Sequence, residues 1–302
     1  RLTAWFRQFI EVRDGDGAER ALLSAVQQGA SSVDLATMLA TAATDHAFLD
    51  GGHTIDFINK ACELFDLIGW DKAGAILPSL TPVIASSTRS EELNSWRNPV
   101  DLVALLDPVF NRIDDIAAAA DTDREWRAAD DLIDLLLGDD PVAIVDALTG
   151  ALEAGAPMTS VSRAVSYAAA MRVARFHTSN EFGDWITVLH AFTAANAVHQ
   201  LMRRAPSPEL LRGVYHGAMA LYLTRFLNMP AARLPEQRQS ALAELPTDGE
   251  DVLRELEDAL DREQQVEPAG QLAWRYLDQG HDPGALIARL GHLLLREDGE
   301  FH

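Results

Sequence analysis

Apolar residues recur along this chain at spacings of three and four, not two, over stretches dominated by Ala, Leu, Glu, Asp and Arg. That spacing matches the 3.6-residue turn of an amphipathic helix, and no alternating run reads as a strand. Proline sets off several of these stretches. Asn98-Pro99, Asp140-Pro141, Ser207-Pro208 and Asp282-Pro283 predict four helix starts, because proline in a first turn gives up an N–H that had no partner there. Glycine marks other ends, at Gln28-Gly29, Ala154-Gly155 and Gln279-Gly280, where a left-handed residue after the last turn is tolerated best by glycine. The pattern predicts an all-α protein of roughly a dozen or more helices joined by short turns.

The three glycine ends are related. The segment Ala21 to Gly29 matches Ala147 to Gly155 and, more loosely, Gln271 to Gly280, and the glycines stand 126 and 125 residues apart. A second correspondence pairs Gly52-His53-Thr54-Ile55-Asp56-Phe57-Ile58 with Asn180-Glu181-Phe182-Gly183-Asp184-Trp185-Ile186, 128 residues on. Phe176-His177 and Phe301-His302 follow their glycines by the same 22 residues. We read a degenerate duplication of a helical unit: one helical domain over 1–302, with pseudo-repeat units near 1–125, 126–249 and 250–302, the third incomplete. Linkers are expected at Asp121-Thr122-Asp123 and from Pro230 to Gly249.

Charge narrows the partners. The 302 residues carry 46 Asp and Glu against 25 Lys and Arg, a net charge of −21, which repels nucleic-acid phosphates and anionic membranes. The single cysteine, Cys62, cannot form an internal disulfide, and no apolar run reaches the roughly 18 residues of a spanning helix, so a cytoplasmic protein is expected. The first residue is Arg1 with no charged-then-apolar leader, which suggests trimming, and the stop at His302 suggests that the native chain continues. No glycine-rich phosphate loop follows a strand, so no nucleotide cofactor is expected.

Chemistry therefore rests on the nine histidines. In Asp45-His46-Ala47-Phe48-Leu49-Asp50-Gly51-Gly52-His53-Thr54-Ile55-Asp56, an unbroken helix would put His46, Asp50 and His53 on one face. A break at the glycine pair would instead let Asp50 cap a helix beginning near His53, with Asp56 one turn on. In the second unit Thr178 and Glu181 form a capping-box pattern, leaving His177 at the joint beside Glu181 and Asp184. His190 and His199 are half a turn out of phase on one helix and cannot share a pocket. His216 lies beside a small-residue stripe of Gly213, Gly217 and Ala220, where close packing is the simpler role. His281 and His292 are given no role.

The motifs around Asp45-His46, Asp50 to Phe57, Phe176 to Trp185 and Arg296 to His302 resemble a helical domain of bacterial proteins that continue into a Rieske-type iron–sulfur ferredoxin module. The chain is also distantly similar to questin oxidase-like proteins. The resemblance implies a redox role, with electrons delivered by the ferredoxin module, since this chain has no Cys-x-His and Cys-x-x-His pair for a cluster of its own. The leading expectation is thus a metal-dependent oxidoreductase holding non-haem iron. Its ligands would be His53, His177, His302 and Glu181, with Asp56 and Asp184 orienting imidazoles and His46, His190 and His199 serving proton transfer or a second site. Two other classes are weighed against it: a helical-repeat scaffold for protein partners, and a cofactor-independent enzyme using His and Asp as acid and base.

Overall fold

A computed structural model describes residues 1–122, 124–177, 179–237, 242–262 and 265–296, and every regular element among them is helical, as the periodicity predicts. Contacts divide the chain into two compact units, Arg1–Pro230 and Ala231–His302, where the sequence reading has one domain of three pseudo-repeats. The division falls at the start of the expected Pro230–Gly249 linker.

The first unit contains α1 (Leu2–Glu11), α2 (Gly15–Gln27), α3 (Ser32–Thr44), α4 (His53–Ile68), the short α5 (Ala73–Ile76) and α6 (Leu80–Ser86). It continues with α7 (Leu102–Phe110), α8 (Ile113–Ala119), α9 (Asp130–Leu136), α10 (Pro141–Glu153), α11 (Met158–Ala174), α12 (Phe182–Arg204) and α13 (Pro208–Leu223). The second unit has α14 (Gly249–Asp261), α15 (Val266–Asp278) and α16 (Pro283–Leu295) around its own core of Val252, Leu253, Leu256, Leu272, Tyr276 and Leu286. No helix among the described residues is long and apolar enough to cross a membrane.

The local signals act as expected at most ends. Pro141, Pro208 and Pro283 occupy the first turns of α10, α13 and α16, behind side-chain caps from Asp140, Ser207 and Asp282. Asn98-Pro99 does not start a helix. Its peptide bond is cis, and α7 begins at Leu102, capped by Asp101, whose carboxylate accepts from the Ala104 N–H. Gly29, Gly155 and Gly280 all take positive φ, 78°, 90° and 76°. After each, a backbone N–H reaches back five positions: Ala30 to Ala25, Ala156 to Ala151, His281 to Tyr276. The same helix–turn–helix hairpin thus occurs three times, as α2–α3, α10–α11 and α15–α16.

The first unit is built around α13. All residues from Gly213 to Tyr222 are buried, and the helix packs against α3, α8, α10, α11 and α12. A helix apolar nearly all round has to be central, because no stripe of it gains by facing water. Gly213 lets α13 approach closely: a Cβ there would stand 2.9 Å from Val198 and 3.1 Å from Thr44.

One arginine ties the helix ends together. Arg172, 2% exposed, donates to the Leu137 carbonyl at the end of α9, the Leu221 carbonyl at the end of α13, and the Asn228 side chain. Burial lowers its pKa to about 10, with help from Arg175 and Arg225, so it stays charged at neutral pH and uses carbonyls in place of a carboxylate. Replacing Arg172 with Met removes these charge-assisted bonds and strands buried acceptors. We predict a loss of roughly 3 kcal/mol in chemical denaturation, with Arg172→Lys restoring little because an ammonium lacks the planar fork.

Candidate functional site

Burial of α13 brings a polar side chain into the core. His216 is 5% exposed, held edge-on by Phe110 at 5.4 Å and Trp96 at 6.3 Å between ring centroids. No described residue makes a hydrogen bond to its ring. Burial pushes its pKa down to about 3; Glu91 pulls it up, while Arg212 and His46 push it lower, so the ring is neutral at physiological pH. The imidazole faces two cavities. One, of about 20 Å³, is apolar and lies toward Phe48, Ile55 and Val198. The other, of about 100 Å³, is lined by His216, Asp45, Glu91 and Asp107 with Ala47, Val103, Leu106 and Phe110. Asp107 is exposed and His216 buried, so the pocket runs from a carboxylate mouth to an imidazole floor.

Ion pairs hold the walls. Asp45, the residue after α3, accepts from Arg7 Nε and Nη2 and from Arg212 Nη1, all at 2.6 Å, joining α1, α3 and α13. The Asp45 hydrogen bond raises the Arg7 pKa against the lowering effect of its own desolvation. His46 is 7% exposed and lies between two carboxylates, with Nδ1 2.8 Å from Glu91 and Nε2 3.0 Å from Glu11. Burial alone would raise the Glu91 pKa, but hydrogen bonds from His46 and the Ala47 N–H hold it below the usual carboxylate value. His46, expected as a proton carrier, thus has both nitrogens engaged in joining α1 to the 90–92 turn.

Between α3 and α4 the chain breaks at the glycine pair. Phe48, Asp50, Gly51 and Gly52 take positive φ of 43°, 50°, 64° and 100°. His46, Asp50 and His53 therefore do not share a helix face. Asp50 does not cap α4 either, since the N-cap is Gly52 with no side-chain bond. The Asp50 carbonyl instead lies 2.8 Å from His53 Nδ1. The turn carries His53 against α12, where its ring centroid is 4.0 Å from that of His190. Asp56 makes no hydrogen bond to the His53 ring among the described residues, and burial raises its pKa despite the opposing Lys60.

The other expected residues lie apart. His177 Nδ1 closes a local turn with Ser179, 2.7 Å from its hydroxyl and 3.1 Å from its amide. Glu181 is the exposed N-cap of α12, with Asp184 in the first helical turn; Thr178 lies outside the described residues. His199 bonds Ser162 across α11 and α12 at 3.0 Å, and its pKa is lowered by burial and then by Arg203 and Arg163. His302 lies outside the described residues. Among those described, no three His, Cys, Asp or Glu side chains form a group that could hold a metal ion. Sequence reasoning passed over Glu91, Asp107 and the pocket role of His216. Only the placing of a histidine within a small-residue stripe pointed toward His216.

Compared with known proteins, the chain matches no family model, no curated protein and no solved structure.

The depressed pKa of His216 has a signed consequence. Its folded value lies below the ordinary 6.5, so below pH 6.5 the unfolded chain takes up a proton that the native ring refuses. Native stability should therefore fall as acid is added from about pH 6.5 toward 3, by roughly 1.4 kcal/mol per pH unit from this group. Urea denaturation across that range checks it: His216→Gln should flatten the slope, and an unchanged slope would contradict the assignment.

Proposed function

We propose that residues 1–230 form a binding domain for a small organic cation, a short primary alkylammonium, taken up in the pocket that ends on His216. One observation carries the reading: the His216 imidazole, kept neutral by burial, faces a cavity whose other polar walls are carboxylates. A neutral imidazole offers one donor and one acceptor nitrogen, so at the end of a cavity it can serve a ligand. Each ionised carboxylate offers about four acceptor sites, and Glu91 uses two, on His46 and the Ala47 amide. No lining residue is cationic, which disfavours an anion. Val103, Leu106 and Phe110 suit a methylene stem, and the Phe110 ring adds a cation–π surface. At about 100 Å³ the cavity is far smaller than the roughly 300 Å³ or more of drug-sized sites. The ligand is therefore compact.

The same geometry favours binding over acid–base catalysis. A general base works best with a pKa near the operating pH, and about 3 is far below it. The non-haem iron oxidoreductase supplied by a ferredoxin module is a separate proposal. It calls for a shell of three or more ligands, and its expected set includes His302, outside the described residues, while among the described residues His53, His177 and Glu181 belong to no three-ligand group. The partner-binding scaffold is another, supported by the repeated hairpins and the acidic balance of the chain.

Calorimetric titration with methylammonium, ethylammonium and propylammonium tests the cation reading, with acetate and ethanol as controls. Saturable binding of an amine, weakened at least about tenfold in His216→Phe and in Asp107→Asn, is expected. Preference for acetate, or equal amine affinity in both variants, would overturn it.

A further inference from the structure

A cleft of about 310 Å³ opens between α11, α9 and the irregular segment that leads into α9. Arg127, Asp130 and Ile133 form one wall, and Ser160, Arg163 and Tyr167 the other. The second set follows from the helix period. These residues stand three and four positions apart along α11, so one face of the helix presents all of them. The opposite wall is held in place by its neighbours: Trp126 and Ala128 pack against the core, and Arg124 donates to the Ala154 carbonyl. Arg127, between the two packed residues, is left at the cleft. None of these residues lines the pocket that ends on His216.

The charge of this cleft runs against that of the chain. With 46 acids for 25 Lys and Arg, a carboxylate is easily found, and Arg7, Arg97, Arg204 and Arg289 each meet one. Arg127 and Arg163 do not. Neither guanidinium forms an ion pair or a hydrogen bond with a described residue, although Asp130 lines the same cleft. Two like charges on facing walls repel each other, and an anion placed with both relieves that repulsion. The Ser160 and Tyr167 hydroxyls are likewise unengaged among the described residues and add two further donors.

We propose that this cleft binds a small phosphate monoester that carries hydroxyl groups, of hexose size, with its phosphoryl group on Arg127 and Arg163. The number of acceptor oxygens decides for phosphate. A carboxylate has two and is matched by a single guanidinium fork, whereas a phosphoryl group presents three in tetrahedral directions, enough for two forks and a hydroxyl. Asp130 repels a bare phosphate ion but accepts from a sugar hydroxyl, so it favours a ligand with its charge at one end and its hydroxyls at the other. The Tyr167 ring and Ile133 supply apolar surface for the carbon frame. At about 310 Å³ the cleft stands at the lower end of small-molecule sites, roughly 300–1,000 Å³.

Calorimetric titration of the full chain with glucose-6-phosphate provides the test, and saturable binding at one site per chain below about 1 mM is expected. Glucose, gluconate and inorganic phosphate should each bind at least about tenfold more weakly. Arg127→Gln and Arg163→Gln should each weaken the ester at least about tenfold, with Arg20→Gln, an exposed arginine outside the cleft, unchanged. Asp130→Asn should narrow the ester's advantage over inorganic phosphate. Mass spectrometry after phenylglyoxal treatment should show Arg127 and Arg163 protected by the ester. Protection is read in the unaltered protein, so it decides the matter even if a variant misfolds. No saturable binding below about 1 mM, equal affinity for gluconate or inorganic phosphate, or protection confined to other arginines would overturn the proposal.

Discussion

The burial of α13 is the constraint on which the first unit depends. A helix with no solvent face must be covered on every side, so α3, α8, α10, α11 and α12 take their positions from it, and Gly213 sets how near α3 and α12 can come. Covering such a helix is favourable for Leu210, Leu211, Val214, Met219 and Leu221. It is unfavourable for one residue. His216 is largely withdrawn from water, and burial keeps its ring neutral. The core thus creates the polar floor of the pocket as a by-product of packing, and the carboxylates of Asp45, Glu91 and Asp107 surround what the core leaves open.

Two kinds of local restraint then fix the rim. Ion pairs join segments far apart in sequence: Arg7 and Arg212 meet on Asp45, and Glu11 and Glu91 meet on His46. Exposed pairs of this kind contribute little to stability, but the half-buried Asp45 is left with an unmatched charge if its arginines are lost. The left-handed turn from Phe48 to Gly52 acts differently, through backbone geometry. It directs α4 across α12, and so His53 onto His190, while its hydrogen bonds to 88–90 tie it to the segment that carries Glu91. The pocket and the histidine pair are therefore neighbours in one framework, linked through residues 47–54.

Much of the fold was legible because helices announce themselves locally. Three-and-four periodicity, Pro141, Pro208 and Pro283 in first turns, and Gly29, Gly155 and Gly280 after last turns each depend only on residues within one or two turns. Asn98-Pro99 misled because proline is equally at home in a turn, and Asp101, three residues on, is the better cap. The site was less legible, since its residues come from elements whose packing no local pattern encodes. His216 meets Glu91 and Asp107 across more than 100 positions of chain. His190 is 137 residues from His53, and the break at Gly51-Gly52 was visible while the direction of the chain beyond it was not. Pairing by repeat position drew attention to His53 and His177, yet the structure places His177 in a local turn with Ser179 and gives His53 a neighbour that the repeat did not single out.

The central claim is that a neutral imidazole on α13 faces a carboxylate-lined pocket that takes a cation. Histidine-selective ¹⁵N NMR tests it most directly, with the His216 ring assigned by substitution and followed from pH 8 to about pH 4. The account predicts that the ring stays in one neutral tautomer throughout, and that its nitrogen shifts respond to an alkylammonium ion but not to acetate. A His216 ring that titrates near its ordinary pKa of about 6.5, or nitrogen shifts indifferent to added amine, would contradict it.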